Sequence, residues 1–472
     1  METKQISKNI MITVLAQIVS LFVSFILGFI VPKFISELSY SYWQTFLLYM
    51  GYVSIFQFGL LDGFLLRYAQ YDYGELDKPL VRSQFFILIV VLTVFSLLGF
   101  LFSIFYLQGV YKLVGILLCI GMITKNSYTY TSYLLQSTNR IYHYAKAVIV
   151  QRLGYALFVV ILIVTGVKNF VWFCIAELFG DGLSVLYGFF VNKGLFFAKE
   201  KVSLKSAVFE AGKNISAGFL MMLAGFSSAF LILGAKTVVQ WRWDELVFGK
   251  VSFAFSLYGV FCSFIVAVGV VLFPSFKRME KATLPNVFYK VRKELEFVFF
   301  VLLLFYYPLY VVIGFWIPSY QEALRYFSVL FPGVLFYSKV HLLTNNYLKI
   351  YRKEKIIFLL NLATVVVGLL AYVVGAYVFN RLIVVLVSVV VFSMSRSLLS
   401  ELIVMKELGK LESVDFIVEF FLSGIFVIAT RYCSFILGLL IYIVTLVGYA
   451  IVYRKLVAQL IKKIQLKLRK SQ

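Results

Sequence analysis

The chain has 472 residues, of which 62% are hydrophobic and 14% charged, with a formal net charge of +22. A soluble globular chain is nearer half apolar and a quarter charged. With mean hydropathy at +0.94, this composition excludes soluble enzymes, nucleic-acid-binding domains and disordered tails as the body of the protein, and places the Lys/Arg excess in the cytoplasmic loops of a membrane protein.

Apolar runs bounded by charges, Pro or Gly predict fourteen spans, at 10–31, 42–66, 82–106, 111–136, 146–166, 169–192, 212–234, 246–273, 296–317, 322–348, 355–378, 381–404, 414–430 and 433–454. The first run is too long for a signal-peptide core and lacks an A-x-A site, so it reads as a retained helix. With the N-terminus inside, 32 of the 44 Lys and Arg lie in or beside inner segments and 9 lie outside. That asymmetry predicts cytoplasmic termini at both ends. Within the long inner segment near 274–295, Leu284, Val287, Val291 and Leu295 recur at helical spacing. They predict an amphipathic helix lying on the inner leaflet.

Spans one to six and seven to twelve each begin on the cytoplasmic side, as parallel repeats would. Spans four and ten carry the sequence trace: Lys125 and Lys339 each open a Lys-x7-Tyr-Leu stretch, at an offset of 214. The expected fold class is an all-α polytopic membrane protein of about 14 helices, in two pseudo-symmetric six-helix lobes around a central cavity. The expected divisions are 1–195, 196–410, and 411–472 for the last two helices and a basic tail.

Ionisable groups inside a span are costly and mark cavities or partners. Lys125 and Lys339 lie about 17 and 14 Å from the inner ends of their spans at 1.5 Å per residue, beyond the reach of a lysine stem. Arg396 shares a face of span twelve with Ser393 and Ser400, and Arg67 ends span two, as cavity residue or interfacial anchor. Glu177 and Asp181 stack four apart in span six, either as an ion-coupling pair or as partners of Lys125 or Arg396. Thr13, Gln17, Ser20 and Ser24 stripe span one, lining a wet cavity or joining helices. Tyr128 and Tyr130 are candidates for stacking on sugars or for plain packing. Cations outnumber anions in this set, which suits an anionic headgroup such as phosphate.

Cys119, Cys174, Cys262 and Cys433 sit in apolar runs without CxxC spacing, and there are only two His, His143 and His341. No metal site and no cofactor are expected. No GxxxxGK[ST] motif occurs, so nucleotide hydrolysis is not expected. The short outer loops leave no place for a catalytic domain, and the protein reads as not an enzyme.

KNIMITVLAQ opening span one, FGLLDGFLLRYAQ ending span two and YLLQSTNRIYHYAK after span four carry a resemblance, as do VLFPSFKRM after span eight and NNYLKIYRKEK after span ten. Across residues 5–405 the chain resembles bacterial polysaccharide repeat-unit flippases (O-antigen, capsule or teichoic type) of the multidrug/oligosaccharidyl-lipid/polysaccharide exporter superfamily. The resemblance implies alternating access, location in the bacterial cytoplasmic membrane, and a polyprenyl-pyrophosphate-linked oligosaccharide as cargo, flipped from inner to outer leaflet for cell-surface polysaccharide assembly. Membrane lipid and other polysaccharide-assembly membrane proteins are the partners it implies, and nucleic acid is not one. The family's cationic cavity residues match loosely to Lys125, Lys339 and Arg396. Spans thirteen and fourteen exceed the usual twelve. The competing expectation is a multidrug or small-molecule exporter driven by an ion gradient.

Overall fold

The computed structural model describes residues 2–197, 200, 202–277, 279, 283–409, 414–454 and 457–458, and every regular element among them is helical. Eleven helices are individually long and apolar enough to cross a bilayer. Two helix pairs pass the same test jointly: Glu37–Gln57 with Leu60–Tyr68, bent by 62°, and Ala323–Leu330 with Gly333–Ile350, bent by 43°. Helix Val414–Tyr432 supplies the remaining one of the fourteen expected segments. The chain is a multi-pass membrane protein.

Both bends have local causes. In span two, Phe58 and Gly59 adopt positive φ (53° and 84°), which ends one helix and allows another to start. The Gln57 side chain then caps the second half, accepting from the Leu61 amide at 2.6 Å and donating to Asp62 at 2.6 Å. In span ten, Pro332 lies at the break and cannot donate a helical hydrogen bond.

Residues 1–252 and 253–472 form two compact units, with the division inside helix Glu245–Lys277. In the first unit, helix Gly109–Ser137 packs against Lys78–Phe105 and Phe170–Val191, while Ile141–Val164 packs against Phe170–Val191 and the N-terminal helix. Helix Leu204–Arg242 belongs to this unit by packing, because it lies along Leu60–Tyr68. That crossing is backbone against backbone. A β-carbon on Gly63 would stand 1.8 Å from the Asn214 carbonyl oxygen, and one on Gly218 would stand 2.0 Å from the Gly63 nitrogen. The division by packing therefore groups span seven with the first six, whereas the expected lobes divide the chain by repeat.

In the second unit, helix Leu382–Leu408 is the hub, packed by Glu354–Val373, Ala323–Leu330 and the π-helical turn Lys339–Thr344. One core cluster joins Leu284, Phe288, Leu343, Tyr347, Leu348, Val404 and Met405. It corrects the expectation of a surface helix near 284–295. Those residues are the first turns of helix Leu284–Leu303, and their buried face is Leu284, Phe288, Arg292 and Glu296. Of the face inferred from apolar spacing, Leu284 is buried while Val287, Val291 and Leu295 are only half-buried. The helix goes inward because its charged residues have buried partners there, and Leu284 accepts a hydrogen bond from the Tyr347 hydroxyl at 2.9 Å.

Candidate functional site

In the first unit, Lys125 stands on helix Gly109–Ser137 facing helix Phe170–Val191, where Glu177 and Asp181 fall on one face as their spacing requires. The ammonium lies 3.3 Å from Glu177 Oε1 and 3.4 Å from Asp181 Oδ1. Gln151 Nε2 donates to Asp181 Oδ1 at 3.0 Å. Asp181 is fully buried while 27% of the Lys125 side chain is exposed, so the lysine is the member of the triad that reaches accessible space. Its ammonium also sits 5.5 Å from the centre of the Tyr128 ring. Tyr130, by contrast, is fully buried, donates to the Val81 carbonyl at 2.7 Å and packs on Phe64 and Phe85. It is a packing residue. On span one, Thr13 and Ser20 bond back to carbonyls of their own helix.

Arg67 pairs with Glu210 at 2.8 Å and donates to Asn214, one turn along from the Gly63–Gly218 crossing. It borders a cleft of about 600 Å³ that Glu75, Asp77 and Glu210 also line. Three carboxylates thus face one guanidinium in this cleft, and Arg67 is held at the helix junction by two of its neighbours.

In the second unit, Lys339 occupies the start of a π-helical turn, a local widening that re-aims side chains and recurs at functional sites. It is 0% exposed. Its ammonium contacts Glu401 at 2.7 Å and Glu296 at 3.5 Å, and also pairs with Glu419. Arg292 completes the group, with Nε 2.7 Å from Glu401 and 3.3 Å from Glu296, and Nη2 3.8 Å from Glu419. The Phe416 ring lies against both cations. This corrects the expectation that Lys339 faces a water-filled cavity. A buried cation in an apolar region is tolerated only when paired, and here three carboxylates hold it in the interior. Arg292, Glu296, Glu401 and Glu419 were not among the sequence-derived candidates. Arg292 lay in a segment assigned to the surface and Glu296 at the first position of span nine, although their i,i+4 spacing is a pairing signal.

The two lysines nonetheless share a pattern. Lys125 of span four pairs with carboxylates of span six, and Lys339 of span ten pairs with Glu401 of span twelve. This repetition in the structure is independent of the Tyr-Leu identities that suggested the duplication.

Arg396 differs from both. It is 8% exposed and makes no hydrogen bond or ion pair with another described residue. Tyr258, Tyr337 and His341 are its electrostatic neighbours. Ser393 bonds its own helix at Val389, and Ser400 meets the Thr344 hydroxyl at 3.0 Å, so neither serine on its face is free for it. His341 stacks on Tyr337 with ring centres 4.1 Å apart, and its Nε2 is buried without a hydrogen-bond partner. Among the described residues, a guanidinium without a hydrogen-bond partner and an imidazole with a free Nε2, beside two tyrosines, make a site with polar capacity to spare.

No protein-family model matches the sequence, and no curated protein does. Solved structures do match the fold. A lipid II flippase, MurJ, in an inward closed conformation aligns over 95% of this chain and 99% of its own, at 14% identity and a TM-score of 0.65. A multidrug resistance MATE family transporter of the MOP superfamily, inward-facing, aligns over 83% and 98%, at 13% identity and 0.64. A MOP superfamily transporter from Pyrococcus furiosus aligns over 85% and 96%, at 14% identity and 0.54. At these identities the likeness is one of fold: the chain has the architecture found in this superfamily.

Proposed function

We propose that the protein is a transporter that moves a polyprenyl-pyrophosphate-linked oligosaccharide from the inner to the outer leaflet of the bacterial cytoplasmic membrane, by alternating access of the lobes 1–195 and 196–410, with both termini cytoplasmic. The observation that carries this reading is Arg396. Among the described residues it has no hydrogen-bond or ion-pair partner; a charged guanidinium so placed inside a membrane span is expensive, and the cost is recovered when an anion arrives. A pyrophosphate would accept from the guanidinium in bidentate fashion and from His341 if that ring presents an N–H. Tyr258 and Tyr337 would flank it. Lys125, being partly exposed, would make a secondary contact only by exchanging its carboxylates for phosphate. Lys339 and Arg67 are engaged by carboxylates and are assigned to the scaffold.

The flippase among the structural neighbours acts on a lipid-linked substrate, which agrees with this reading, whereas the MATE neighbours are multidrug transporters. One observation favours the exporter reading. In the first unit two carboxylates face one lysine, an acid excess that would suit a cationic cargo. The deciding experiment is deletion of the gene followed by assay of lipid-linked glycan on the inner leaflet. The flippase reading expects accumulation that is reversed by the wild-type gene and not by Arg396→Gln. Unchanged lipid-linked glycan together with new drug sensitivity would establish the exporter instead.

A further inference from the structure

In the first unit, the centre of helix Ile141–Val164 carries an arginine. Arg152 lies about 17 Å from the first residue of this helix and about 18 Å from the last, at 1.5 Å per residue. Snorkelling cannot bring its side chain to water at either end. Its position is on the packed face of the helix: Tyr155, Ala156 and Val159, three, four and seven residues on, are buried, whereas Leu153, Leu157, Ile161 and Val164 form an exposed stripe. Arg152 itself is half-buried, and among the described residues it makes no hydrogen bond and no ion pair. Contacts of the adjoining residue fix its level. Gln151 donates to Asp181 at 3.0 Å, and a β-carbon on Gly180 would stand 2.7 Å from the Gln151 carbonyl oxygen. Asp181 in turn lies 3.4 Å from the Lys125 ammonium. Arg152 therefore stands at the depth of the Lys125 triad, with Lys125, Tyr128 and Tyr155 as its electrostatic neighbours. The two carboxylates of the triad are engaged with Lys125 and neither pairs with Arg152.

We propose that Arg152 is the principal contact of an anion-binding site in the first unit, flanked by Lys125, and that its ligand is a phosphate-bearing group. Each neighbour has a part in it. Glu177 and Asp181 are buried under the Lys125 ammonium, while Lys125 is partly exposed, so the accessible side of the group is cationic. Lys125 stays with its carboxylates and adds its charge, and the carboxylates temper the attraction enough for the ligand to leave. Arg152 supplies the directional contact, because its N–H donors are uncommitted among the described residues and form a planar fork that matches two phosphate oxygens. A carboxylate would also fit the fork, but it brings one negative charge. A phosphate group brings about two and a third acceptor oxygen, which suits two neighbouring cations better. Pyrophosphate of a lipid-linked cargo and the headgroup of a bilayer phospholipid supply this same chemistry. Only the choice of the cargo as source rests on the transport reading above; the site itself does not.

The test uses the full-length protein in phosphatidylcholine bilayers, with inorganic pyrophosphate as the probe and equilibrium binding as the readout. Every sample carries Arg396→Gln, so that the second unit's guanidinium does not contribute. In that background pyrophosphate should bind. Adding Arg152→Gln should weaken binding about tenfold or more, as loss of a charge-assisted contact does, and Arg152→Lys should recover part of it. Lys168→Gln, which removes the same charge from an exposed position, should leave binding unchanged. Pyrophosphate should also raise the Tm of the parent and not that of Arg152→Gln, and the unfolding transition itself shows that each variant is folded. Displacement of the probe by a polyprenyl pyrophosphate assigns the site to the cargo. Displacement by phosphatidylglycerol added to the bilayer, and not by the polyprenyl pyrophosphate, assigns it to a lipid headgroup. No binding in the Arg396→Gln background, equal affinity with and without Arg152, or an equal loss in Lys168→Gln overturns the site. None of these readouts involves glycan or transport. Failure of the transport reading therefore leaves them standing, and failure of the site leaves the transport reading resting on Arg396.

Discussion

Replacing Lys339 by Gln is the most informative perturbation of the fold. The ammonium is fully buried and touches Glu296, Glu401 and Glu419. Among the described residues, its removal leaves Arg292 as the one cation against three carboxylates, each of them buried. Removing one partner of a buried ion pair costs about 3–5 kcal/mol, and the upper end applies because three acids lose their cation at once. The same change at Lys125 removes contacts at 3.3 and 3.4 Å from a side chain that is 27% exposed. Water can replace much of what is lost there, and the cost should be about 1 kcal/mol. The two repeat-related lysines thus separate by a factor of three or more in free energy, although the sequence treats them alike. Membrane abundance and thermal unfolding in mild detergent should show Lys339→Gln strongly depleted and Lys125→Gln near wild type. Adding Glu419→Gln to Lys339→Gln should recover much of the loss, since the double variant sheds one charge of each sign, and the cycle isolates their coupling. Equal stability of the two lysine variants, or no rescue by Glu419→Gln, would refute the reasoning.

Arg396→Gln should abolish transport of lipid-linked glycan with abundance retained or raised, because it removes a buried charge that has no partner among the described residues; restored glycan export by that variant in a deletion strain would sink the assignment, and Arg396→Lys is expected to fail too, as a point charge does not reproduce a bidentate contact. Gly63→Leu should cost more than the about 1–3 kcal/mol of ordinary overpacking, because its first added atom meets the Asn214 carbonyl at 1.8 Å; normal membrane levels of the variant would show that the helices part easily there. Glu177→Gln with Asp181→Asn should leave abundance nearly intact, as Lys125 keeps access to water, and should alter the pH dependence of transport if the pair couples an ion; an unchanged pH profile would leave it a structural pair. Cysteines placed at Lys168 and Arg381 should react with an impermeant reagent from outside the cell, and labelling from the cytoplasmic face alone would reverse the topology.

The helical segments were legible because a bilayer demands long apolar runs, and hydropathy reads those directly. The bend in span two was not, since it depends on Phe58 taking a positive φ, which its residue type does not advertise. At the sites, depth could be counted from the sequence, and that count is what singled out Lys125, Lys339 and Arg396. What counting cannot supply is the partner. Glu419 stands 80 positions from Lys339, and Arg292 stands 109 from Glu401. Glu401 and Glu419 fall near span ends, where a carboxylate ordinarily needs no explanation. Arg292 was hidden by a helix that looks amphipathic on its apolar residues but buries its charged face.

The same ionic group constrains how the chain enters the membrane. Helices leave the ribosome in order, and a charged residue at a helix centre costs about 2.5–3.5 kcal/mol to insert on the translocon scale. Arg292 emerges with Glu296 one turn later on the same helix, 3.3 Å away in the finished structure, and so carries its own counter-charge from the start. Lys339 has no such companion in its own helix. Of its three carboxylates the two nearest in space are residues 401 and 419, so at least 62 further residues must be synthesised before the first of these arrives, which takes roughly 3–12 s at 5–20 residues per second. During that interval the span-ten helix is a segment that lipid rejects. Its integration has to wait at the insertion machinery for span twelve, or borrow Glu296 meanwhile, which makes the last third of the chain a single unit of biogenesis that truncation after span eleven would strand.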